Sequence, residues 1–517
     1  MDLDHAACYR ALAARDPRFD GRFLVGVTST GIYCRPICPA RTPRPENSRF
    51  FASAAAAQQA GFRPCLRCRP ETSPDLAVWH GTANTVTRAL ALIERGALDD
   101  AGIEALAERL GLGGRQLRRL FQQHLGASPI AVAQTRRVLL AKQLIHDTPL
   151  PMGEVALAAG FGSVRRFNET FQRLFARPPA ALRRRRWGSD AAEAVSLTLA
   201  YRPPYDWEAI LAYLAARAIP GVEAVASGRY HRSIALGEGR GVVSVAPAAR
   251  DRLSITLRFP DLTALPTIIA RLRRVFDLAA DPAAIAQHLR SDPALARLVE
   301  ARPGLRVPGA WDGFELAVRA ILGQQITVTA ATKLAGKLVR AFGEALPQGH
   351  TADPGLTHVF PTPARLAAAD IAALGMPAAR AHSLGALAAA VAADPRLFGP
   401  RQSLEAAIER LRALPGIGEW TAQYIAMREL REPDAFPAAD IGLARAMTNG
   451  EGARPTPAAL LARAERWRPW RAYAAVHLWS SQHRATAPHE VIDAAITNPP
   501  LPPRSRADAD RRSAPGH

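Results

Sequence analysis

The sequence predicts a multidomain protein that is mainly α-helical and contains α/β parts. Its 517 residues are enough for about three to five domains. Apolar residues recur at helical spacing over 80–186 and again over 310–490, whereas 195–260 contains alternating, strand-like stretches such as 253–257. All five cysteines lie within the first 68 residues, which sets that part of the chain apart from the rest.

Breaks in these patterns divide the chain into a predicted series of units. Prolines close the cysteine-rich part at 70–74, a basic hinge spans 183–190, and proline and arginine dominate the end of the chain. The predicted units are 1–75, 80–187, 194–305 and 306–490, followed by a disordered tail at 491–517. We expect the first unit to be a small α/β domain, the third to be β-rich, and the second and fourth to be helical.

Composition points to a polyanionic partner and away from a membrane. The formal net charge of +20 favours a partner such as DNA. Arginine supplies nearly all of this charge, because the lysines are confined to Lys142, Lys333 and Lys337, so compositional bias explains part of it. The sequence contains no run of about twenty apolar residues and no targeting segment, which predicts a soluble cytoplasmic protein.

Four cysteines have the spacing of a zinc site. They form two close pairs, Cys34-x3-Cys38 and Cys65-x2-Cys68, whose thiolates can surround one tetrahedral Zn²⁺ ion. A disulfide framework is disfavoured, because a chain of this length has a large core and no signal peptide. Spacing alone favours a structural site over a reactive one, since most four-cysteine zinc sites are closed.

The sequence around the quartet resembles the amino-terminal domain of the Ada family of methylation sensors. The similar stretches are Asp20–Phe23, Thr30–Cys38 and Gly61–Cys68. The resemblance implies that Cys34 accepts a methyl group from a DNA methylphosphotriester, once only, while bound to Zn²⁺. A zinc tetrathiolate carries a formal charge of about −2, and methylation of one thiolate lowers it to about −1, which should strengthen binding to DNA phosphates.

Two similar helix-turn-helix sequences follow the cysteines. Gly102–Gln123 and Met152–Phe171 each read as a helix, a glycine turn and a second helix whose polar side chains can enter a major groove. The candidate DNA-reading residues are Arg115, Gln116, Arg118, Arg119, Arg165, Arg166 and Asn168. The alternative is a solvated basic face on an ordinary helical bundle, which two copies make less attractive.

This region resembles the double helix-turn-helix domain of AraC-type regulators. The resemblance implies a transcription activator that binds promoter DNA and RNA polymerase. The first half ends in the family's Gly-x-Ser-Pro turn at Gly126–Pro129, whereas Ala176–Pro179 replaces it in the second half. We expect the arginines at 183–186 to contact phosphates, which position a protein without reading sequence.

A helix-hairpin-helix turn lies in the last third of the chain. In Leu414–Gly418, Gly416 and Gly418 allow backbone amides to approach a DNA phosphate, and carbonyls of the turn can hold a monovalent cation. With the sequence that follows, the turn resembles the helix-hairpin-helix glycosylase superfamily. That resemblance implies that Asp440 is the essential carboxylate, and we assign Asp434 to the preceding turn.

Residues of about 195–485 resemble the AlkA family of 3-methyladenine DNA glycosylases. The similar stretches include Pro203–Trp207, Arg319–Gln324 and Trp467–Arg471. The resemblance implies an aromatic pocket for a flipped base, and it implies that Gln325 stands where the family inserts leucine into the DNA. The implied pocket residues are Tyr213, Trp420, Tyr424 and Trp479.

The resemblance also implies the type of reaction. A cationic alkylated base is a good leaving group that aromatic faces attract, so a carboxylate that stabilises the sugar cation and orients water suffices. Relatives that also cut the strand have a lysine just after the hairpin, where this chain has Trp420. We therefore predict a monofunctional, hydrolytic DNA-3-methyladenine glycosylase II.

The combined prediction is an alkylation-response protein with two activities on double-stranded DNA. One half takes methyl groups from phosphotriesters and activates transcription, and the other removes alkylated bases. Such a protein would be cytoplasmic in a bacterium and associated with the nucleoid when bound to DNA. One alternative is a regulator whose glycosylase half only binds DNA. Another is a damage-targeted glycosylase whose quartet is a structural zinc site.

Overall fold

The computed structural model describes most of the chain. The described residues are 4–73, 84–99, 101–183, 194–347, 355–399, 403–448 and 454–485. The predicted tail at 491–517 and the basic hinge beyond Arg183 lie outside the described residues. Within the described ranges, no helix combines the length and the apolar character needed to cross a membrane.

The cysteine-rich part is a small α/β unit. Its elements are helices α1 (His5–Ala13) and α2 (Ala54–Gln59) and strands β1 (Leu24–Val27), β2 (Ile32–Cys34), β3 (Ser48–Phe51) and β4 (Arg63–Pro64). The sheet order is β3-β1-β2-β4, and β2 runs parallel to β4. Tyr33 pairs with Pro64, so Cys34 and Cys65, the next residues along each strand, meet where the two strands end. Strand pairing thus brings the two cysteine pairs together.

The second part is the predicted double helix-turn-helix. Its helices are α3 (Asn84–Glu94), α4 (Ile103–Arg109), α5 (Gly114–Leu125), α6 (Pro129–Asp147), α7 (Met152–Ala158) and α8 (Val164–Phe175). The turns between α4 and α5 and between α7 and α8 contain Gly111 (φ +69°) and Gly160 (φ +84°). Glycine adopts this left-handed backbone without a Cβ clash, which explains the glycine in each predicted turn.

The third part is an antiparallel sheet with helices. Its elements are β5 (Val195–Ala200), α9 (Trp207–Arg217), β6 (Glu223–Ala226), β7 (Arg229–Leu236), β8 (Gly239–Ala248), β9 (Arg252–Arg258), α10 (Leu265–Val275), α11 (Pro282–Leu289) and α12 (Pro293–Ala301). The strand order is β5-β9-β8-β7-β6, so the first strand of the part pairs with the last. Leu253, Ile255 and Leu257 of β9 are buried and alternate with less buried residues, as the sequence pattern predicts.

The fourth part is helical and carries the hairpin. Its helices are α13 (Gly313–Leu322), α14 (Val328–Phe342), α15 (Pro363–Ala367), α16 (Ala378–Ala393), α17 (Leu404–Arg412), α18 (Glu419–Arg428), α19 (Ile441–Ala446), α20 (Pro457–Ala464) and α21 (Arg471–Ala485), with short strands β10 (Glu344–Ala345) and β11 (His358–Val359). Its core includes fully buried Ile321, Leu338, Leu384 and Ile425. The hairpin turn lies between α17 and α18, so α18 starts at the turn and continues into this core.

The amino-terminal and carboxy-terminal halves of the chain share one apolar cluster. Leu144 of α6 and Val155 of α7 belong to the same buried cluster as Leu197 and Leu253 of the β5–β9 sheet. A buried ion pair between Arg88 of α3 and Glu432 adds a polar contact between the halves. The helix-turn-helix part is therefore packed against the carboxy-terminal half.

Helix α6 also holds the cysteine-rich part. The ammonium of Lys142 is fully buried and pairs with the carboxylate of Glu71, three residues after the last cysteine. The same ammonium donates a hydrogen bond to the carbonyl oxygen of Cys65 at 3.1 Å. Burial lowers the pKa of Lys142, and the charge of Glu71 opposes that shift.

Replacement of Lys142 by methionine should destabilise the protein strongly. The change leaves the Glu71 carboxylate, whose side chain is 1% exposed, with only its ion pair to Arg69 Nε at 3.0 Å, so Glu71 Oε2 loses its cationic partner. Loss of one partner of a buried ion pair costs about 3–5 kcal/mol. Urea unfolding would measure this loss in the free energy of unfolding. Arg165→Met is the control, because the Arg165–Glu169 pair is exposed to solvent and its loss should change stability little. Equal stability of the two variants would contradict the prediction.

The two helix-turn-helix halves end in the same backbone turn despite different residues. Gly126 after α5 has φ +65°, and Ala176 after α8 has φ +53°. Ala176 therefore occupies a left-handed conformation that is unfavourable for a residue with a Cβ atom.

Ala176→Gly should raise the free energy of unfolding by about 1 kcal/mol, because it removes this backbone strain. Thermal or urea unfolding checks the change. The reciprocal variant, Gly126→Ala, should lower stability, since the added Cβ would be strained and would lie 3.3 Å from the Cβ of Ala56. A stabilising Gly126→Ala would overturn the explanation.

Candidate functional site

The four predicted zinc ligands lie together. The sulfur atoms of Cys34, Cys38, Cys65 and Cys68 all lie within 4.8 Å of one another, and all four residues are buried. Cys8, the remaining cysteine, belongs to a separate apolar cluster with Phe23. The predicted quartet therefore forms one site, and the fifth cysteine is a buried thiol outside it.

The chemistry of this donor set fits Zn²⁺. Four sulfurs this close must share protons when no cation balances them, and hydrogen bonding with Cys38 raises the pKa of Cys34. Hydrogen bonding with Cys34 in turn lowers the pKa of Cys38 to about 7, and the backbone N–H of Ala40 acts in the same direction. A tetrahedral Zn²⁺ ion would balance the charge of four thiolates, so the sulfurs would no longer need to share protons.

Backbone amides reach some of the sulfurs. The N–H of Arg35 donates to Cys68 Sγ at 3.4 Å, and the N–H of Arg67 donates to Cys65 Sγ at 3.3 Å. Within the part of the chain that the structure describes, no backbone N–H donates to the sulfur of Cys34. Since an N–H donor withdraws charge from a thiolate, these two contacts reduce the negative charge on the sulfurs of Cys68 and Cys65.

A buried ion pair holds the loop between Cys34 and Cys38. The guanidinium of Arg35 pairs with the carboxylate of Asp20, and both side chains are less than a tenth exposed. Arg35 Nη1 also donates to Thr72 Oγ1 at 3.1 Å. The residue after Cys34 is thus fixed to the segment that follows Cys68.

The predicted DNA-reading residues are exposed on α5 and α8. The exposed set comprises Arg115, Gln116, Arg118, Arg119, Arg165, Arg166 and Asn168. The opposite faces of both helices are buried through Leu117 and Phe121 of α5 and Phe167 and Phe171 of α8. Each helix therefore presents a polar face that a DNA groove can accept.

The guanidinium of Arg183 hydrogen-bonds backbone carbonyls inside the protein. Its guanidinium donates to the backbone carbonyl of Leu150 and, at 3.4 Å, to that of Ile145. This use differs from the phosphate contact that we expected for the arginines at 183–186. The reason is local: the carbonyls that end α6 and precede α7 need donors, and Arg183 is within reach of them. Residues 184–186 lie outside the described residues.

The aromatic residues predicted for a base pocket line one cavity of about 850 Å³. The rings of Trp420 and Tyr424 are stacked with centroids 5.1 Å apart and planes at 11°. The hydroxyl of Tyr213, on α9, lies 2.9 Å from that of Tyr424, on α18. Trp479 of α21 completes the predicted set. The cavity therefore lies between the third and fourth parts of the chain.

Asp440 lies at the edge of this cavity in a fixed orientation. Trp420 Nε1 donates to its Oδ2 at 2.9 Å, and Trp479 Nε1 donates to its Oδ1 at 2.8 Å. Oδ1 also caps α19 by accepting from the N–H of Leu443 at 2.9 Å. Asp434, in contrast, is paired with Arg471 at 2.7 Å. Of the two aspartates that follow the hairpin, Asp440 lines the cavity and Asp434 does not.

Two arginines that line the cavity, Arg217 and Arg428, were not among the predicted site residues. The guanidinium carbon of Arg428 lies 4.5 Å from the ring centroid of Tyr213 and 4.7 Å from that of Tyr424, and Arg217 lies 4.1 Å from Tyr213. A helical signal was available, because each arginine follows a pocket tyrosine by four residues and so shares its face. Burial alone would raise the pKa of Tyr424, but Arg428 and Arg217 lower it.

The loop and hairpin predicted to contact DNA flank the cavity. Gln325 is exposed between α13 and α14 and has φ +60°, and Gly416 of the hairpin has φ +79°. The apolar side chains of Ile326 and Val328 are exposed near Gln325 and line the cavity, and Ile441 is 63% exposed next to Asp440. These side chains form a partly exposed apolar rim, an uncommon feature that often marks a binding surface.

Family models match four consecutive parts of the chain. Residues 7–71 match the metal binding domain of Ada, and 106–185 match a helix-turn-helix domain. Residues 196–312 match the AlkA N-terminal domain, and 318–472 match the HhH-GPD superfamily of base excision DNA repair proteins. Fold and sites thus define a protein in which a zinc-binding, DNA-reading regulator is joined to a base excision glycosylase.

Curated relatives extend over the whole arrangement. The probable bifunctional transcriptional activator/DNA repair enzyme AlkA of Mycobacterium tuberculosis is 45% identical over 93% of this chain and 97% of its own length. DNA-3-methyladenine glycosylase 2 of Escherichia coli is 41% identical over 55% of this chain and 97% of its own. Ada of Escherichia coli is 40% identical over 25% of this chain and 35% of its own. The chain belongs to the family of bifunctional transcriptional activators and DNA repair enzymes that join Ada-type and AlkA-type domains.

Proposed function

We propose that this chain is a bifunctional alkylation-response protein. It takes a methyl group from a DNA methylphosphotriester onto Cys34 and activates transcription, and it excises alkylated bases such as 3-methyladenine. The observation that carries the proposal is the presence, in one chain, of a four-sulfur cluster and a carboxylate held inside an aromatic cavity. Its partners are promoter DNA, alkylated double-stranded DNA and RNA polymerase, in the bacterial cytoplasm and at the nucleoid.

Methyl transfer uses the sulfur of Cys34 as the nucleophile. Zn²⁺ bound by the quartet would keep the thiolates deprotonated at neutral pH. Cys34 Sγ attacks the methyl carbon of the triester, the S–C bond forms as the C–O bond breaks, and the phosphodiester anion leaves. The absence of a backbone N–H donor on Cys34 within the described chain, against donors on Cys65 and Cys68, supports this choice. Because the thioether does not hydrolyse, each chain reacts once.

Methylation then favours DNA binding. Removal of one negative charge from the quartet reduces its repulsion of phosphates. The exposed polar faces of α5 and α8 read the promoter in successive major grooves. Lys142 and Glu71 connect the cysteine-rich part to α6 of the reading domain, so the two bind DNA as one body.

Base excision is hydrolytic and takes place in the aromatic cavity. A flipped, positively charged base stacks against the rings of Trp420, Tyr424 and Trp479. Asp440 stabilises the positive charge that develops on the sugar as the bond between C1′ and the base nitrogen breaks, and it orients the water that attacks C1′. Position 420 carries tryptophan, and without an amine there the reaction ends at the abasic site. Amides of the hairpin at Gly416 and Gly418 bind the DNA backbone, with a monovalent cation at the turn.

Asp440→Asn should lower the rate of base release by about 10²–10³-fold, because the charge that stabilises the sugar cation is lost. Quantification of 3-methyladenine released from methylated duplex DNA measures the effect, and a mobility shift on the same DNA should remain unchanged. Glu419→Gln is the matched control, since Glu419 is an exposed carboxylate beside Trp420. Absence of base release by the wild type would favour the alternative of a DNA-binding module without catalysis.

Cys34→Ala should abolish transfer of labelled methyl groups from methylated DNA to the protein. Peptide mapping locates the label, and promoter binding after exposure to methylated DNA should no longer increase. Cys8→Ala is the control, because Cys8 is buried outside the quartet and burial raises the pKa of its thiol. If the wild type acquires no label while still binding zinc, the quartet is a structural site.

A further inference from the structure

We propose that Gln324 is a positioning residue. Its side chain hydrogen-bonds the loop between α13 and α14, which we predict to insert into DNA, to the hairpin that we predict to bind the DNA backbone. The inference rests on the proposed glycosylase function and concerns a residue to which we have assigned no role above. Gln324 immediately precedes Gln325, the residue at the predicted insertion position. It would act through Gln325, by fixing where the inserted side chain stands relative to the cavity.

The side chain of Gln324 bridges two separate DNA-facing segments. Its Nε2 donates to the carbonyl oxygen of Gly416 in the hairpin at 2.8 Å. The same Nε2 lies 3.5 Å from Oγ1 of Thr421, a residue of α18 between the pocket residues Trp420 and Tyr424. One amide thus contacts the hairpin and the helix that carries half of the aromatic cavity.

The backbone of Gln324 is held as well. Arg380 of α16 donates from Nη2 to the carbonyl oxygen of Gln324 at 2.6 Å. The N–H of Gln324 donates to the carbonyl of Ile321 at 3.3 Å, at the end of α13. Side chain, carbonyl and amide are therefore all bonded, each to a different element of the fourth part.

This anchoring matters because the next residue has an unfavourable backbone. Gln325 has φ +60°, which residues with a Cβ atom rarely adopt, and it begins a run of exposed residues that continues to 330. Such a conformation persists only where neighbouring contacts enforce it. The bonds of Gln324 supply those contacts on the amino-terminal side of the loop.

The two adjacent glutamines have the same chemistry and different surroundings. Gln324 is half-buried and makes the bonds described above, whereas Gln325 is exposed and its side chain makes no hydrogen bond within the described residues. A surface amide with a chance contact would resemble Gln325. This difference indicates that Gln324 fixes the loop, whereas Gln325 is free to enter the DNA.

Through Gln324, binding of the DNA backbone by the hairpin is coupled to flipping of the base. When the hairpin amides bind a phosphate, the position of Gly416 fixes that of Gln324, and hence the depth at which Gln325 fills the gap left by the flipped base. Without this hydrogen bond the loop samples other conformations, and each insertion into DNA costs the conformational entropy of ordering the loop. A base that is already unpaired needs less of this help.

Gln324→Leu tests the inference, because leucine has a similar size and lacks the amide. Two substrates are compared under single-turnover conditions: a duplex with the alkylated base paired, and a duplex in which the same base faces an abasic site. We expect base release from the paired duplex to fall about tenfold, the value of one hydrogen bond of about 1.4 kcal/mol. Release from the unpaired site should fall less than about twofold.

Flipping is measured independently by the fluorescence of 2-aminopurine next to the target base, which should rise less with Gln324→Leu than with wild type. Gln325→Ala should show the same pattern as Gln324→Leu, and Arg380→Met, which removes the bond to the Gln324 carbonyl, should show it more weakly. Thermal unfolding of Gln324→Leu should shift only by the loss of about one hydrogen bond, and the difference between the two substrates separates a positioning role from a structural one.

Equal losses on both substrates would reduce Gln324 to a structural residue, and unchanged release and fluorescence would remove its role altogether. Failure of the wild type to release any base would refute the proposed glycosylase function instead, and the fluorescence measurement would still decide the role of Gln324.

Discussion

The arrangement of this protein depends on helix α6, because neighbouring residues of that helix hold different parts of the chain. Lys142 is buried against Glu71 and the carbonyl of Cys65, which fixes the cysteine-rich part. Gln143, the next residue, donates from Nε2 to the carbonyl of Thr198 at 2.8 Å in the first strand of the repair half. A buried ammonium without its partner costs several kcal/mol, so the sensor can leave α6 only at a large penalty. Regulator and repair enzyme are thus joined by packing as well as by the chain.

Several arginines are buried and hydrogen-bond backbone carbonyls inside the protein, a role that the net charge does not reveal. Arg306 donates to the carbonyls of Pro204 at 3.0 Å and Ala280 at 3.2 Å, and Arg274 donates to those of Ala310 and Trp311. These side chains are buried and join loops of the third and fourth parts. The guanidinium group suits this task, since its five N–H donors can satisfy several carbonyls at once. The formal charge of +20 therefore overstates the positive charge available to DNA.

Local patterns in the sequence predicted those features that depend on near neighbours. The cysteine spacing, the paired helix-turn-helix units and the hairpin are all confirmed by the four-sulfur cluster, the family matches and the glycine turns. The cavity was different, because Tyr213 and Tyr424 meet across 211 residues and only resemblance to a family connected them. Contacts such as those of Lys142 and Gln324 could not be predicted, since neither residue belongs to a periodic pattern and its partners lie in other elements.

Binding and chemistry are linked in the cavity through the same side chains. Trp420 and Trp479 are walls on which a base can stack, and their indole N–H groups hold the two oxygens of Asp440. The carboxylate cannot rotate away without leaving both donors unpaired in a partly buried site, which is unfavourable. The tryptophans are in turn oriented by stacking, Trp420 on Tyr424, whose hydroxyl is bonded to Tyr213 of the other part. On the proposed function, a flipped base that displaced these rings would also displace the Asp440 carboxylate, so the cavity would favour ligands that leave Trp420 and Trp479 in place.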